Sequence, residues 1–226
     1  MRHGRRMVSL LGLAAATTLA MGPAGAVTRA APPGDQVILK SGVITANDVP
    51  STWTAAKQPD VSTKSLKGIA DCKQISAAVT AAHSRPHKVS PQFSDPANQG
   101  NTTAEDTVYA FKNAAAASKY LAPYQAGNFP TCLQKSLQRS LGSRAQVSAG
   151  QPVPNLQGVG DAALGFEYQV QANVQGAQIT FVYDAIAVRI GRAFIGFTFV
   201  NPNVQLAQGL EIVNAVIGRV QSAAGG

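Results

Sequence analysis

Residues 160–200 constrain the fold of this chain more than any other stretch, because apolar and polar residues alternate there. Leu164, Phe166 and Tyr168 fall on one face of the first run, and Glu167 falls on the other. A period of two marks a β-strand with one buried face and one face towards water. The stretch therefore predicts three consecutive strands, at 161–172, 177–190 and 193–200.

The connection between the second and third runs predicts how these strands pair. Gly191 and Arg192 separate Ile190 from Ala193. A turn of two residues favours a hairpin, and glycine adopts the positive φ that such a turn requires. The second run is apolar on both faces for much of its length, which is typical of a strand at the centre of a sheet. The three strands should therefore form an antiparallel meander.

Helical spacing and capping residues predict most of the remaining elements. Asn113 should cap an alanine-rich helix that stops before Pro123, and Gly142 should end a helix that follows Asn128. The predicted helices are 69–82, 114–122, 129–141 and 204–220, the further strands are 102–111 and 145–153, and 84–100 is expected to be a long surface loop. This order predicts a single α+β domain in which helices cover an antiparallel sheet.

The first 26 residues have the features of a secretory signal peptide. Positive charges at Arg2, Arg5 and Arg6 precede the apolar run 7–21, and Ala24-Gly25-Ala26 is a small-residue cleavage motif. Both the general secretory and the twin-arginine export routes stay open. Cleavage would lower the formal net charge of +8 by three, to +5. We expect a secreted or cell-envelope protein whose mature chain has no stable membrane insertion.

The sequence divides into four parts on this basis. They are a signal peptide at 1–26, a Pro/Gly/Ala flexible linker at 27–36, the α+β domain at 37–221 and a disordered tail at 222–226. Composition shifts at the two ends, rather than internal repeats, define these boundaries.

Two cysteines remain in the mature chain, Cys72 and Cys132. An even number of cysteines in an exported protein favours a disulfide, and two cysteines allow one intramolecular bond. The alternative is two separate buried thiols. His83 and His87 have the four-residue spacing of zinc ligands, but Pro86 interrupts the helix that would align them. We therefore predict a Cys72–Cys132 disulfide and no metal site.

Catalytic and cofactor signatures are missing from the sequence. No G-x-S-x-G motif or dinucleotide-binding loop occurs, and the scattered lysines and arginines do not favour nucleic-acid binding. Glu167 and Asp184, on neighbouring predicted strands, are the carboxylates best placed for a hydrolytic pair. Solvent-facing carboxylates on a sheet are a more common explanation. We predict that the protein is not an enzyme and holds no cofactor.

Three aromatic residues of the meander are candidates for a ligand pocket between the sheet and its helices. Tyr168, Tyr183 and Phe197 lie on three neighbouring strands, and Arg189 would stand at the mouth of the pocket. The alternative is that these aromatic residues are ordinary core residues.

Several short motifs resemble a known family. They are Ile44-x3-Asp48-Val49-Pro50-x2-Trp53, Cys72, Tyr109-Ala110-Phe111, Phe129-Pro130-x-Cys132-Leu133, Gly160-Asp161-Ala162-Ala163-Leu164 and Val188-Arg189-Ile190-Gly191-Arg192. Together they are similar to the extracellular sensor domain of actinobacterial receptor Ser/Thr kinases of the PknH type, over about residues 37–221. The same domain occurs in freestanding secreted and lipid-anchored proteins. The resemblance implies an α+β fold with a cleft for an unidentified ligand, and it implies no enzyme activity and no established binding residues.

The chain departs from the kinase form, which has two cysteine pairs and a kinase domain. We therefore expect a freestanding ligand-binding domain of the cell envelope rather than a protein that signals through its own chain. Its partner would be a small molecule, a lipid or a cell-wall fragment. The alternatives are an envelope protein that binds another protein, and a small secreted hydrolase that uses Glu167 or Asp184.

Overall fold

The structure, a computed structural model, describes residues 33–58, 63–98, 102–174, 177–201 and 206–224. It is an antiparallel sheet with helices on both faces, which confirms the predicted α+β class. The helices are α1 (Pro33–Ser41), α2 (Lys73–Ala82), α3 (Ala114–Gln125), α4 (Phe129–Leu141) and α5 (Leu206–Ala224). The strands are β1 (Thr54–Ala56), β2 (His87–Val89), β3 (Gln92–Ser94), β4 (Thr103–Ala110), β5 (Ala145–Val147), β6 (Gln151–Pro152), β7 (Ala162–Val174), β8 (Ala177–Ile190) and β9 (Ala193–Asn201).

Four long strands form the centre of the sheet, in the order β4, β9, β8, β7. Short strands complete the two edges: β2 and β3 both pair with β4, β1 pairs with β3, and β5 and β6 both pair with β7. The predicted meander is confirmed, because β7, β8 and β9 are consecutive antiparallel neighbours.

The turn between β8 and β9 fixes the register of this meander. Ile190 pairs with Ala193, and Gly191 has a φ of 52° between them. The carboxylate of Asp161 accepts hydrogen bonds from the Gly191 backbone N–H at 2.6 Å and from Arg189 Nη1 at 2.9 Å. The turn is therefore held from the β7 side as well as by its own geometry.

The helices divide into two layers, one on each face of the sheet. Helices α1 and α5 cover the face that carries Val108, Ile186 and Ile195, which we call the α1/α5 face. Helices α2, α3 and α4 cover the opposite face, with Tyr109 and Phe194, which we call the α2–α4 face. Among the helices that the structure describes, none combines the length and the hydropathy of a membrane-spanning segment.

The predicted disulfide is present. Cys72 ends the short 3₁₀ turn Ala70–Cys72 just before α2, and Cys132 lies in the first turn of α4. Their Cα atoms are 4.8 Å apart and their sulfur atoms are bonded. The bond joins two of the three helices on the α2–α4 face.

Three sequence predictions need correction. Residues 84–100 contain β2 and β3, which their pairing with β4 stabilises although prolines keep each to three residues. The predicted strand at 145–153 is split into β5 and β6, because Gly150 lies against the ring of Tyr168 where a Cβ would be only 2.8 Å away. Helix α3 continues through Pro123 to Gln125, since Tyr124 packs against Tyr120 and Phe129.

The ends of the domain also differ from the prediction. Helix α1 includes residues 33–36 of the predicted linker, because Asp35 is buried against Arg192 in an ion pair. Helix α5 runs to Ala224, three residues into the predicted tail. The signal peptide and linker residues 27–32 lie outside the described residues and stay predictions.

A cleft between the sheet and helices α2 to α4

A cavity of about 270 Å³ lies between the sheet and the helices of the α2–α4 face, and we call it the cleft. Its floor is formed by the central strands and its walls by the helices and the short 3₁₀ turn Lys64–Leu66. Five of the floor residues are half-buried, namely Thr107, Tyr183, Ala185, Gly196 and Thr198. A half-buried floor indicates that the cleft is open to solvent over β4, β9 and β8.

Helix α4 supplies the longest wall. Leu133, Ser136, Leu137 and Ser140 line the cleft, and their spacing of three, one and three residues places them on one helical face. Ile75 and Val79 of α2 line the adjoining wall with Leu66. The Cys72–Cys132 disulfide lies where these two walls meet, and Cys132 itself lines the cleft.

The side chains around the cleft are aliphatic, aromatic or hydroxyl-bearing. None of the described lining residues is an aspartate, glutamate, lysine, arginine or histidine. An ionised group that enters an uncharged site loses its hydration without a compensating partner, which costs several kcal/mol. The described lining therefore favours neutral ligand groups inside the cleft.

An aromatic cluster closes one end of the cleft. The Tyr124 hydroxyl donates to the Tyr120 hydroxyl at 3.1 Å, and the Tyr120 and Phe194 rings meet edge to face with centroids 4.7 Å apart. Burial raises the pKa of Tyr124 to about 12, so its hydroxyl stays protonated at any physiological pH. This end of the cleft offers flat apolar surfaces and one pair of hydroxyls.

Tyr183 lies on the floor in the middle of β8. It is hydrogen-bonded to Thr198 on the adjacent strand, and burial together with the nearby carboxylate of Glu105 raises its pKa to about 12. Its hydroxyl therefore stays protonated at physiological pH, and a protonated phenol can both donate and accept a hydrogen bond.

Glu105 lies at the end of the floor that is opposite the aromatic cluster. It pairs in register with Thr198 and shares the α2–α4 face with Thr107. Its Oε2 accepts hydrogen bonds from Gln58 and, at 3.1 Å, from Gln92 Nε2. Burial raises the pKa of this carboxyl, and two neutral amides rather than a cation hold it among the described residues.

The structure brings only part of the predicted ligand site together. Tyr183 lines the cleft, whereas Tyr168, its partner in register, lies beneath α4 and donates to the Pro130 carbonyl at 3.0 Å. Phe197 borders the cleft by its backbone, because its ring packs in the core of the α1/α5 face and stacks on Phe199 at 6.3 Å. Whether any of these residues contacts a ligand stays a prediction.

Arg189 lies at the β8–β9 turn rather than at the mouth of the cleft. Its guanidinium binds Asp161 at 2.9 Å and the Gly191 carbonyl at 3.2 Å, and its side chain is 17% exposed. These contacts give it a role in holding the turn.

Glu167 and Asp184 are paired in register as predicted, but they lie on the α1/α5 face, away from the cleft. Asp184 is 4% exposed, and its Oδ1 has no hydrogen-bond partner within the described part of the chain. Burial first, and the neighbouring Glu167 second, raise its pKa to about 7.

The two histidines of the candidate metal pair are near each other, with ring centroids 5.6 Å apart. His87 stacks on Tyr109 at 5.3 Å and its Nδ1 contacts the Arg85 carbonyl at 2.9 Å. No group of three or more potential metal ligands occurs within the residues that the structure describes.

Sequence analysis missed most of the cleft. The stripe of α4 was detectable as one helical face, because Leu133 and Leu137 recur with helical spacing. The face on which each β9 side chain lies was also predictable. A two-residue turn that pairs Ile190 with Ala193 places Phe197 opposite Ile186 and not beside Tyr183. The contributions of Ser65, Ile75 and Val79 depend on tertiary packing and have no local signal.

Comparison with known proteins gives one structural similarity to report. No protein-family model and no curated protein matches the chain. The solved structure of the extracellular domain of PknH from Mycobacterium tuberculosis is similar with a TM-score of 0.48 and 9% sequence identity, over 81% of this chain and 95% of that one. A similarity of this strength carries no inference about what the chain binds.

Proposed function

We propose that this chain is an exported, non-enzymatic binding domain of the cell envelope, and that its cleft takes up a small, largely apolar molecule. One observation carries the proposal: a cavity of about 270 Å³ opens between sheet and helices, and its described lining is uncharged. Ligand sites of small molecules typically span about 300–1,000 Å³ and combine apolar walls with a few polar groups. The cleft lies just below that range, which limits it to a small ligand or to part of a larger one.

The apolar walls provide the affinity for the ligand, and the polar groups of the floor orient it. Leu66, Ile75, Val79, Leu133 and Leu137 offer aliphatic surface, and burying apolar area contributes about 25 cal/mol per Å². The hydroxyls of Thr107, Thr198 and Tyr183 can hydrogen-bond a hydroxyl or carbonyl of the ligand. A short alkyl or aromatic molecule with one neutral polar group fits this pattern.

A binding role, rather than a catalytic one, is favoured by the composition of the cleft. Activation of a hydroxyl nucleophile needs a neighbouring base, and the described lining has no imidazole or carboxylate. The Glu167–Asp184 pair lies on the opposite face of the sheet. An exported location is supported by the Cys72–Cys132 disulfide, a bond that persists in oxidising compartments.

Filling the cleft tests this proposal. Ala185 is a half-buried floor residue, so the substitution Ala185→Trp would place an indole in the cleft. We expect the wild-type protein to bind 1-octanol and 1-decanol in isothermal titration calorimetry, and we expect Ala185→Trp to reduce this affinity at least tenfold. Ala115→Trp, on the exposed surface of α3, is the matched control and should bind like wild type.

Two outcomes would contradict the proposal. One is equal alkanol binding by wild type and by a folded Ala185→Trp variant, which would place the ligand elsewhere. The other is a wild-type protein that binds no alkanol and no other neutral apolar compound, which would favour the alternative of a protein-binding envelope component.

A further inference from the structure

The wall of the cleft is bordered by a cluster of basic residues on two neighbouring segments. The segment 63–73 carries Lys64, Lys67 and Lys73, and the segment 129–144 carries Lys135, Arg139 and Arg144. Asp71 is the one acidic residue in these two segments, and it pairs with Lys135 at 2.5 Å. The two segments pack against each other, so their positive charges add on one surface.

Two of these basic residues are sequence neighbours of residues that line the cleft. Ser65 and Leu66 line the cleft, and Lys67 follows them directly; Arg139 directly precedes Ser140, another lining residue. Arg139 Nη1 donates to the Lys67 backbone carbonyl at 2.5 Å, so the two residues adjoin. Both are exposed. Lys67 and Arg139, which we call the cationic rim, therefore place an ammonium-bearing residue and a guanidinium within one residue of Leu66, which lines the apolar cavity.

We infer that the ligand of the cleft is an anionic amphiphile with a single apolar chain. This inference rests on the proposed function: the chain occupies the aliphatic walls, and a carboxylate or phosphate head remains at the cationic rim. The head stays near water, so it does not incur the cost of burial in an uncharged cavity. Arginine favours such heads because its guanidinium can make two parallel hydrogen bonds to a carboxylate or phosphate.

The test compares an acid with the alcohol of the same chain length. Sodium decanoate and 1-decanol would be titrated, below the concentration at which either aggregates, against wild type and two charge-matched double variants. One variant, Lys67→Gln with Arg139→Gln, removes the cationic rim. The other, Lys40→Gln with Lys88→Gln, removes two exposed lysines on the α1/α5 side, since Lys40 is on α1 and Lys88 pairs with Val108.

We expect wild type to prefer decanoate over 1-decanol. The rim variant should lose about tenfold in affinity for decanoate and retain its affinity for 1-decanol, because removal of two rim charges affects only the ionised head. The control variant should match wild type for both compounds. Raising the salt concentration should weaken decanoate binding in wild type more than in the rim variant.

Each other outcome has a defined meaning. Binding of 1-decanol without preference for decanoate would overturn this inference and leave the proposed function intact, and binding of neither compound would overturn both. Vesicles containing phosphatidylglycerol form a separate arm of the test. Rim-dependent binding to these vesicles without binding of free decanoate would overturn the inference in favour of a membrane-surface contact.

Discussion

At the scale of single residues, two buried carboxyls on the α1/α5 face have raised pKa values. Asp106 is 2% exposed, and burial raises its pKa to about 7 although the Ile44 N–H donates to it at 2.8 Å. Asp184 has a pKa of about 7 for the same main cause. In both cases the folded protein binds a proton more tightly than the unfolded chain, whose aspartates titrate near 3.8.

This difference predicts how stability depends on pH. Between about pH 4 and pH 7 the folded state binds more protons than the unfolded state, so the free energy of unfolding should fall as pH rises. Asp184→Asn removes one of the two groups and should stabilise the protein by about 1–3 kcal/mol at pH 8. The substitution should also reduce the decrease in the free energy of unfolding between pH 4 and pH 7. Asp106 should account for the pH dependence that remains.

Urea denaturation at several pH values would check this prediction. Glu211→Gln, which changes an exposed carboxylate on α5, is the control and should leave the pH dependence as in wild type. An Asp184→Asn variant that is less stable than wild type at pH 8 would show that the ionised carboxylate stabilises the fold.

At the scale of elements, the disulfide joins the two walls of the cleft. Cys72 and Cys132 are 60 residues apart in the sequence, and in the loop-entropy model closing such a loop stabilises the fold by about 4 kcal/mol. Replacing both cysteines with alanine should lower the free energy of unfolding by about that amount in urea denaturation. Alkanol affinity, measured well below the unfolding transition, should also fall, because α2 and α4 lose their covalent link.

A double-alanine variant with the stability of wild type would contradict this account of the disulfide. The unfolded, unreduced wild-type protein offers an independent check by thiol titration. It should expose no free thiol, and two reactive thiols per chain would contradict the bond itself.

Elements with a clear local sequence signal were predictable from the sequence, and elements that depend on tertiary contacts were not. The β8–β9 hairpin follows from alternation and from Gly191, and α4 follows from its apolar spacing and Gly142. Strands β2 and β3 were not predictable, because prolines obscure the local pattern and β4 provides the pairing. Helix α1 was hidden by Pro33-Gly34, and Asp35 and Ile38 stabilise it through tertiary contacts.

At the scale of the whole molecule, the two faces of the sheet differ. The α1/α5 face is tied by ion pairs: Arg192 binds Asp35, and Arg219 binds both carboxylate oxygens of Asp48 and the Val43 carbonyl. Its core is a continuous set of buried aliphatic and aromatic side chains. The α2–α4 face instead contains the cleft, so a ligand should act on that face and leave the other unchanged.

Methyl-selective NMR during titration with 1-decanol tests this account most directly. We predict that the methyl signals of Leu133, Leu137 and Ala185, which line the cleft, shift in a saturable way. The methyl signals of Val213 and Val216, in the core of the α1/α5 face, should stay in place. Saturable shifts confined to Val213 and Val216, or no saturable shifts at all, would contradict the assignment of the cleft as the binding site.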